Sequence, residues 1–475
     1  MRKRVLLTNP PKTGNRQEDM FSYPNMGILS LIAYARKRMS DVEFIYMETG
    51  VPGSYSTKIQ EIEPDLIGMS FATCMEKLAY REIDKIKQAY PEIPLICGGP
   101  HPTALPEDVM QNCQADVCVV GEGEATFVEI LEHYLYGSKG LEEIDGLVFR
   151  NEEEIVHTKK RAFLNIDSIP MPAWDIIDFK DYLGAHLRKN HPSTCMVTNR
   201  GCPFNCTFCS NPVWKINKPW LRTRSPELIA EEVKFLYNRG IREIYFRADE
   251  FNPTYKWCIE VCQAIVSLGL RDLTFQCNLR ADEITEELAE ALQSINCWIV
   301  YLGIESMNQR VINGIQKHIE IEQIPQYCRI LRSQGMKVYG FMMLYQAWEE
   351  NGELAFETPE EVDNTLRETK KLINQGLLDY ISWQFATPFP ASQLWDVAHK
   401  YKIIKKDMKG VWDVSLNLPG VSETKMIRQR TLGFLLQAKC ALKTGHLNLK
   451  MWRRFLNKIL YIIESLPKFL QKYGV

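Results

Sequence analysis

The sequence predicts an α/β protein: an N-terminal doubly wound, Rossmann-like parallel sheet, then a partial (β/α)6 TIM-like barrel, then a helical C-terminal region. Three observations predict it. Short apolar runs alternate with helical patterns over residues 1–140, as in a parallel sheet covered on both faces. Pro-rich residues 141–192 interrupt that rhythm. It resumes over residues 193–395 with six βα units, too few for a closed eightfold barrel but enough for a splayed one.

In the first series "RVLLTNP" reads as a buried strand, followed by the helix "GILSLIAYARKRM". "VEFIYME" is the second strand, and "DLIGMSF" the third, leading into "CMEKLAYREIDKIKQAY". "PLICGGP" and "ADVCVVGEGE" are the fourth and fifth, the last feeding "ATFVEILEHYLYG". Ligands of such sheets bind beyond the carboxyl ends of the strands. The Gly and hydroxyl residues of the loops there let backbone approach a ligand and offer hydrogen bonds. Residues 141–192 hold a hairpin pattern, "GLVFRNEEEIVHTKK", and "IDSIPMPAWDIID", and read as a linker. The barrel strands are "TCMVTNR", "EIYFRAD", "LTFQCNLR", "WIVYLGIES", "KVYGFMML" and "YISWQFATP". Several helices between them end in Gly just past a basic or amide residue, as a helix C-terminus should. Residues 396–475 are helical and end basic. Their amphipathic "MWRRFLNKILYIIESLPKFL" is expected to pack with a solvated basic face or to touch a membrane surface peripherally.

The bulk numbers exclude several classes. The 475 residues are 45% hydrophobic and 24% charged, an ordinary globular composition. A net charge of −2 speaks against nucleic acid as a partner. The apolar run after the basic start is only Val5, Leu6 and Leu7, short of a signal peptide, and no stretch approaches the ~18 apolar residues of a membrane span. The expected location is cytoplasmic, where 14 cysteines do not imply a disulfide framework. Cys97, Cys118 and Cys297 lie in apolar runs and read as small buried hydrophobes. Helical spacing explains Cys258 and Cys262 without a metal.

Cys202, Cys206 and Cys209 are different. "TNRGCPFNCTFCSNPVW" gathers them as C-x3-C-x2-C on one loop. A structural zinc site needs four ligands, usually from two separated pairs, and no second pair follows. Three thiolates on a tight loop match an iron–sulfur cluster with one iron left open. Gly201 and Pro203 shape the turn, and Phe204 and Phe208 can shield the site from water.

This motif, with Phe208 just before the third cysteine and a barrel strand just before the first, resembles that of the radical S-adenosylmethionine enzymes. The resemblance implies a 4Fe–4S cluster on Cys202, Cys206 and Cys209, with S-adenosylmethionine chelating the open iron. Reductive cleavage would yield a 5′-deoxyadenosyl radical able to attack an unactivated C–H, which side-chain bases cannot do. It also implies cofactor contacts at Phe208, at Asp249 and Glu250 after the second strand, at Arg280 after the third, and at Glu305 and Ser306 after the fourth. Arg280 would grip a carboxylate, and Glu305 and Ser306 would meet the ribose. After the fifth strand relatives commonly carry a Gly-Pro-Gly-Glu-Thr-like loop; here "MMLYQAWEENGELAFETPEE" stands instead. Tyr345, Trp348, Glu349 and Glu350 are therefore expected to contact substrate.

The N-terminal series resembles the cobalamin-binding domain of one large radical subclass, through "DLIGMSFAT", "PLICGGPHPT" and "ADVCVVGEGEATF". The resemblance implies a corrin and nucleotide-tail pocket of Ser70, Thr73, Gly98, Gly99, His101, Thr103, Gly121, Gly123 and Glu124. An Asp-x-His-x-x-Gly motif is absent, so no protein imidazole is expected to replace the tail, and His101 is expected near the tail or corrin rim. Both cofactors together imply cobalamin-dependent C-methylation of an organic substrate, with a flavodoxin or ferredoxin type reductant. The same architecture also serves non-methylating radical chemistry: oxidative cyclisation, dehydration, decarboxylation or epimerisation. In one such version a cysteine, here Cys277, Cys328 or Cys440, returns a hydrogen atom.

Overall fold

The fold was read from a computed structural model, which describes residues 2–11, 23–48, 54–182, 184, 187–282, 284–405 and 413–443. The first apolar runs become strands with almost wholly buried centres: β1 (Lys3–Thr8), β2 (Val42–Met47), β3 (Leu66–Ser70), β4 (Leu95–Gly98) and β5 (Val117–Val119). They pair in parallel in the order β2-β1-β3-β4-β5. The order reverses between β1 and β3, and that switch point opens a crevice at the carboxyl edge. Helices on the two faces cover two separate apolar layers, one around Ile28, Ile32 and Phe127, the other around Ile83, Met110 and Cys97.

The hairpin expected in the linker is part of this sheet. β6 (Leu147–Asn151) and β7 (Glu154–His157) extend it antiparallel beyond β5. The Arg150 guanidinium fixes it there, donating to Ala115 O at 3.0 Å and to the carbonyls of Met110 and Cys113. Buried carbonyls at helix ends need donors, and the hairpin supplies one.

The second sheet contains β8 (Ser193–Met196), β11 (Glu243–Phe246), β12 (Thr274–Arg280), β13 (Cys297–Glu305), β14 (Lys337–Leu344) and β17 (Tyr380–Phe385), all parallel and adjacent in chain order. β8 and β17 are its two edges, so the barrel is partial, as six units require. Two small ladders decorate its mouth. β9 (Asn199–Arg200) pairs with β10 (Arg222–Thr223) on either side of the cysteine loop. β15 (Ala347–Glu350) and β16 (Glu353–Phe356) form a hairpin within the aromatic-acidic stretch. The following helix, Pro359–Asn374, starts at a Thr358/Glu361 capping box, which satisfies its first backbone donors.

The helix Glu423–Lys443 packs along β17. Its close approach rests on Gly433, where a Cβ would lie 2.7 Å from the Trp383 ring. The amphipathic stretch after residue 443 lies outside the described residues. Among those described, no helix is long and apolar enough to cross a membrane. Gly433→Val forces overpacking against a buried indole and is expected to cost about 1–3 kcal/mol, read as a lower Tm by calorimetry. Leu435→Ala, on the exposed side of the same helix, is expected to change stability by less than ~0.5 kcal/mol.

Candidate active site between the two sheets

The cysteine loop is held from several sides. At its start Gly201 has φ of 83°, and a Cβ there would sit 1.6 Å from Trp220 O. Only glycine fits this left-handed, crowded position. Lys215 Nζ donates to Phe204 O and Asn205 Oδ1, both at 2.6 Å, and Thr207 is bound through its backbone to Ile315 and Leu394. The three thiols are half-buried and form no disulfide. Asn211 N donates to Cys209 Sγ at 3.4 Å, Arg280 Nη1 to Cys206 Sγ at 3.9 Å, and the Cys202 thiol donates to Glu250 Oε2 at 3.4 Å. Three part-buried thiols on one loop, none in a disulfide, are a donor set that suits three irons of a cuboidal cluster. Burial pushes the Cys209 thiol up to about 11 and raises that of Cys202 further. Those sulfurs become thiolates only beside a metal charge.

Around this loop the strand ends bring polar groups together. Asp249, exposed at the end of β11, accepts from Gly201 N at 2.8 Å. Glu250 is buried against Cys202, and desolvation pushes its carboxyl up to about 7. Arg280, at the end of β12, is 7% exposed. It stacks on Phe204 at 3.6 Å, donates to Asp282 at 2.7 Å and to Lys317 O, and keeps one edge toward Cys206. Glu305, at the end of β13, pairs with Lys317 Nζ at 2.9 Å. Lys317, a buried cation near Phe208, escaped the sequence reading. It stands in the unremarkable "GIQKH", and only the fold turns it inward.

Ser306 is not available to a ribose. It is fully buried, and its hydroxyl bonds Glu357 at 2.9 Å and Thr365 at 3.1 Å. Tyr345 and Trp348 do not face a substrate either. They are 1% and 2% exposed, Tyr345 beside Phe385 and Gln429, Trp348 against Gly314. Glu349 points outward to Lys400 at 2.5 Å, and Glu350 is exposed at the hairpin tip. The aromatic stretch buries itself at the start of the hairpin, where Ala347 and Trp348 are covered, while Glu349 and Glu350 run out to its exposed tip. The same region holds a carboxyl that the sequence did not single out. Glu357, wholly buried, accepts from Ser306 and from Tyr345 N at 2.7 Å, joining the ends of β13 and β14. Desolvation pushes it up to about 7.

Beyond the cysteine loop lies a cleft whose enclosed part holds about 340 Å³. One wall is the carboxyl edge of the first sheet, with Ser70, Gly98, Gly99, Gly121, Gly123 and Glu124; the other is the barrel mouth, with Asn199, Gly201, Arg247 and Asp249. Glycines at 27, 68, 98, 99, 121 and 123 leave bare backbone along it, a surface that suits a broad, flat ligand such as a corrin. No histidine borders it among the described residues. Thr73, His101 and Thr103 stand behind this wall. His101 is fully buried, bonding Tyr80 Oη at 2.7 Å and Thr73 Oγ1 at 3.2 Å, while Thr103 Oγ1 accepts from Gly121 N at 3.1 Å. Their polar atoms are satisfied inside the protein, so they brace the pocket. Glu124 does more than line it. Arg200 Nη2 lies 2.5 Å from Glu124 and Nη1 3.1 Å from Glu122, which also takes Arg222. Burial opposes the Glu124 carboxylate, yet Arg200 and Ser30 hold it below the usual carboxylate range. Cys277, Cys328 and Cys440 are buried in the core away from this opening.

Two outcomes follow from this geometry. Arg200→Met strands Glu124 and is expected to cost about 3–5 kcal/mol, most of it recovered in Arg200→Met/Glu124→Met, by denaturant titration. The folded pKa of Glu357 lies above its unfolded value, so the folded state binds the extra proton between about pH 4.5 and 7 and loses stability as pH rises through that window. The stability of the wild type relative to Glu357→Gln is therefore expected to fall, by on the order of 3 kcal/mol, from pH 5 to pH 8.

Comparison with known proteins agrees with this layout. The B12 binding domain model matches residues 18–131, and the Radical SAM superfamily model matches residues 196–355. An uncharacterised methyltransferase of Pyrococcus horikoshii is 29% identical, covering 93% of this chain and 94% of its own. The anaerobic magnesium-protoporphyrin IX monomethyl ester cyclase of Cereibacter sphaeroides is 25% identical over 82% of this chain and 63% of its own. The cobalamin-dependent S-adenosylmethionine radical enzyme OxsB, solved with aqua-cobalamin and S-adenosylmethionine, shares the fold at a TM-score of 0.71 and 17% identity, over 99% of this chain and 72% of its own. With both domains in this order along one chain, the protein belongs to the radical SAM superfamily, in the subclass that carries an N-terminal B12-binding domain.

Proposed function

We propose that the protein is a cobalamin-dependent radical C-methyltransferase that modifies an unactivated carbon of an organic substrate. One observation carries the reading: the glycine-lined cleft of the first sheet and the three-cysteine loop share a wall at Arg200, Gly201 and Asp249. Two cofactors held there face one common space. When bound, the cluster with S-adenosylmethionine supplies a hydrogen-abstracting radical, and cobalamin supplies the methyl group.

The chain's own residues do the rest. Cys202, Cys206 and Cys209 hold three irons, and Phe204, with Arg280 stacked on it, covers the cluster from water. Arg280 and Lys317 place two cations beside Cys206, which favours the reduced, more negative state of the site. Asp249, bonded by Gly201 N and the Asn211 side chain, fixes the entry of the loop and offers a carboxylate to an ammonium group, while Glu305 stands ready for a ribose hydroxyl. Among the described residues the nucleotide tail would have no imidazole to compete with in the cleft. A reductant is needed; flavodoxin or ferredoxin is the proposed class, with a cytoplasmic setting. Peripheral membrane contact through the basic C-terminal segment belongs to the same proposal.

Anaerobic reconstitution tests it. The wild type is expected to hold about four irons per chain and to retain cobalamin. Cys206→Ala is expected to lose the iron and keep the cobalamin, because the two sites lie on different sheets. With substrate, S-adenosylhomocysteine and 5′-deoxyadenosine should form together. 5′-Deoxyadenosine alone would assign the protein to non-methylating chemistry, such as the ring closure for which the cyclase relative is named.

A further inference from the structure

The barrel interior carries a feature that none of these roles uses. In the second sheet, Ile244, Phe246, Cys277, Val300, Leu302, Val338, Ile381 and Trp383 face the outer helices and belong to the core. The alternate residues face inward. They include Asn278, Tyr301 and Tyr339, in register across β12 to β14, with Phe341 one layer nearer the mouth and Tyr245, paired with Gln276, one layer further from it. Their rings form a continuous wall. Centroids are 5.6 Å apart for Tyr245 and Tyr301, 5.0 Å for Tyr301 and Tyr339, and 5.8 Å for Tyr301 stacked on Phe341.

These rings are only part-buried, although they sit on the middle strands of a covered sheet. Tyr301 and Tyr339 pack beside Leu187, Trp298, Ile299 and Tyr380, and each ring of the wall keeps part of its surface accessible. Their hydroxyls are largely spoken for: Tyr245 donates to Asn278 Oδ1 and Tyr301 to Gln276 Oε1, both at 2.7 Å. What they present is ring surface. Tyr23, just before the helix Met26–Arg36 of the first domain, completes the wall 6.1 Å from Tyr245, its buried hydroxyl without a partner among the described residues.

Above this wall stands Arg247, exposed at the end of β11 and bordering the cofactor cleft. No carboxylate pairs with it among the described residues, whereas neighbouring Arg200, Arg222, Arg224 and Arg280 all have one. Beyond its hydrogen bond to the Cys195 thiol, this guanidinium keeps donors for an acid, and over an aromatic wall it recognises a flat ring that bears one.

We propose that the lumen binds a planar aromatic or conjugated ring of the substrate, and that Arg247 binds a carboxylate or other anionic group attached to it. The inference rests on the reading that this barrel mouth is a radical SAM active site, and it names the substrate class for that site. Saturated acyl chains and unsubstituted peptide backbone lack the stacking surface that this wall rewards.

The test uses reconstituted holoprotein and three probes: indole-3-acetate, indole and cyclohexaneacetate, by anaerobic equilibrium dialysis. Indole-3-acetate is expected to bind about tenfold or more tighter than either of the others. Arg247→Gln should reduce it to the level of indole. Tyr301→Leu should abolish the preference for the flat ring, and Tyr301→Phe should retain it; Phe341→Leu serves the same purpose if Tyr301→Leu does not fold. Equal binding of cyclohexaneacetate, or ring binding untouched by the leucine variants, overturns the proposal. So does an Arg247→Gln variant that loses cobalamin and keeps probe affinity, since Arg247 would then serve the cofactor. Iron and cobalamin content, measured on every sample, report on the cofactor reading separately: intact cofactors without probe selectivity sink the lumen assignment alone.

Discussion

The architecture depends on one cluster of charges. Glu122 and Glu124, from the loop after β5, meet Arg200 and Arg222 from the two short strands that flank the cysteine loop. Radical chemistry shared between two cofactors is unforgiving of distance, because reacting atoms must meet in near-attack geometry. Two rigid sheets joined by a crossing segment would otherwise move relative to one another. Guanidinium–carboxylate pairs resist such drift better than apolar contact, since they are directional. Arg200 lies two residues before Cys202, so the chain that grips the first sheet is also the chain that positions the thiols.

A second constraint acts inside the barrel mouth. Glu305 and Tyr345, at the ends of adjacent strands, hold φ near +60° although neither is glycine. Such backbone persists only where surrounding bonds over-determine it. Glu357 supplies them, bonding Ser306 on one side and Tyr345 N on the other. The strained turn aims the Glu305 carboxylate at Lys317 and so toward the cysteine loop. Ser306 and Tyr345 therefore belong to the support of the site, one step removed from any ligand.

What the sequence revealed and what it hid follow from the range of each signal. The βα rhythm, the cysteine spacing and the glycines at strand ends are local patterns, and each stands where its pattern placed it. The hairpin Leu147–His157 was legible as a hairpin, but its sheet was not, because the linker Pro cluster follows it and suggested a crossing segment. Tyr345 and Trp348 looked like a rebuilt substrate loop for want of any clue that residues 347–356 pair with themselves. His101 sits in a glycine-rich strand end, yet Tyr80 and Thr73, more than twenty residues earlier, decide that it turns inward. Lys317 and Glu357 were invisible because their partners are brought to them only by the fold.

The aromatic lumen is the converse case. Tyr339 and Phe341 are spaced two apart along β14, and β13 adds Tyr301 beside them. A strand covered on both faces is usually apolar throughout. Here the aliphatic Val300, Leu302 and Val338 take the helix-facing side and the rings take the other. Tyrosine on an inner face is a costly choice for mere filling, since each hydroxyl must be bonded when desolvated. Here Asn278 and Gln276 satisfy two of them and leave part of each ring accessible. A barrel that needed only to be full could use leucine at these positions; one that must accept and release a flat guest needs surfaces that stack without interlocking.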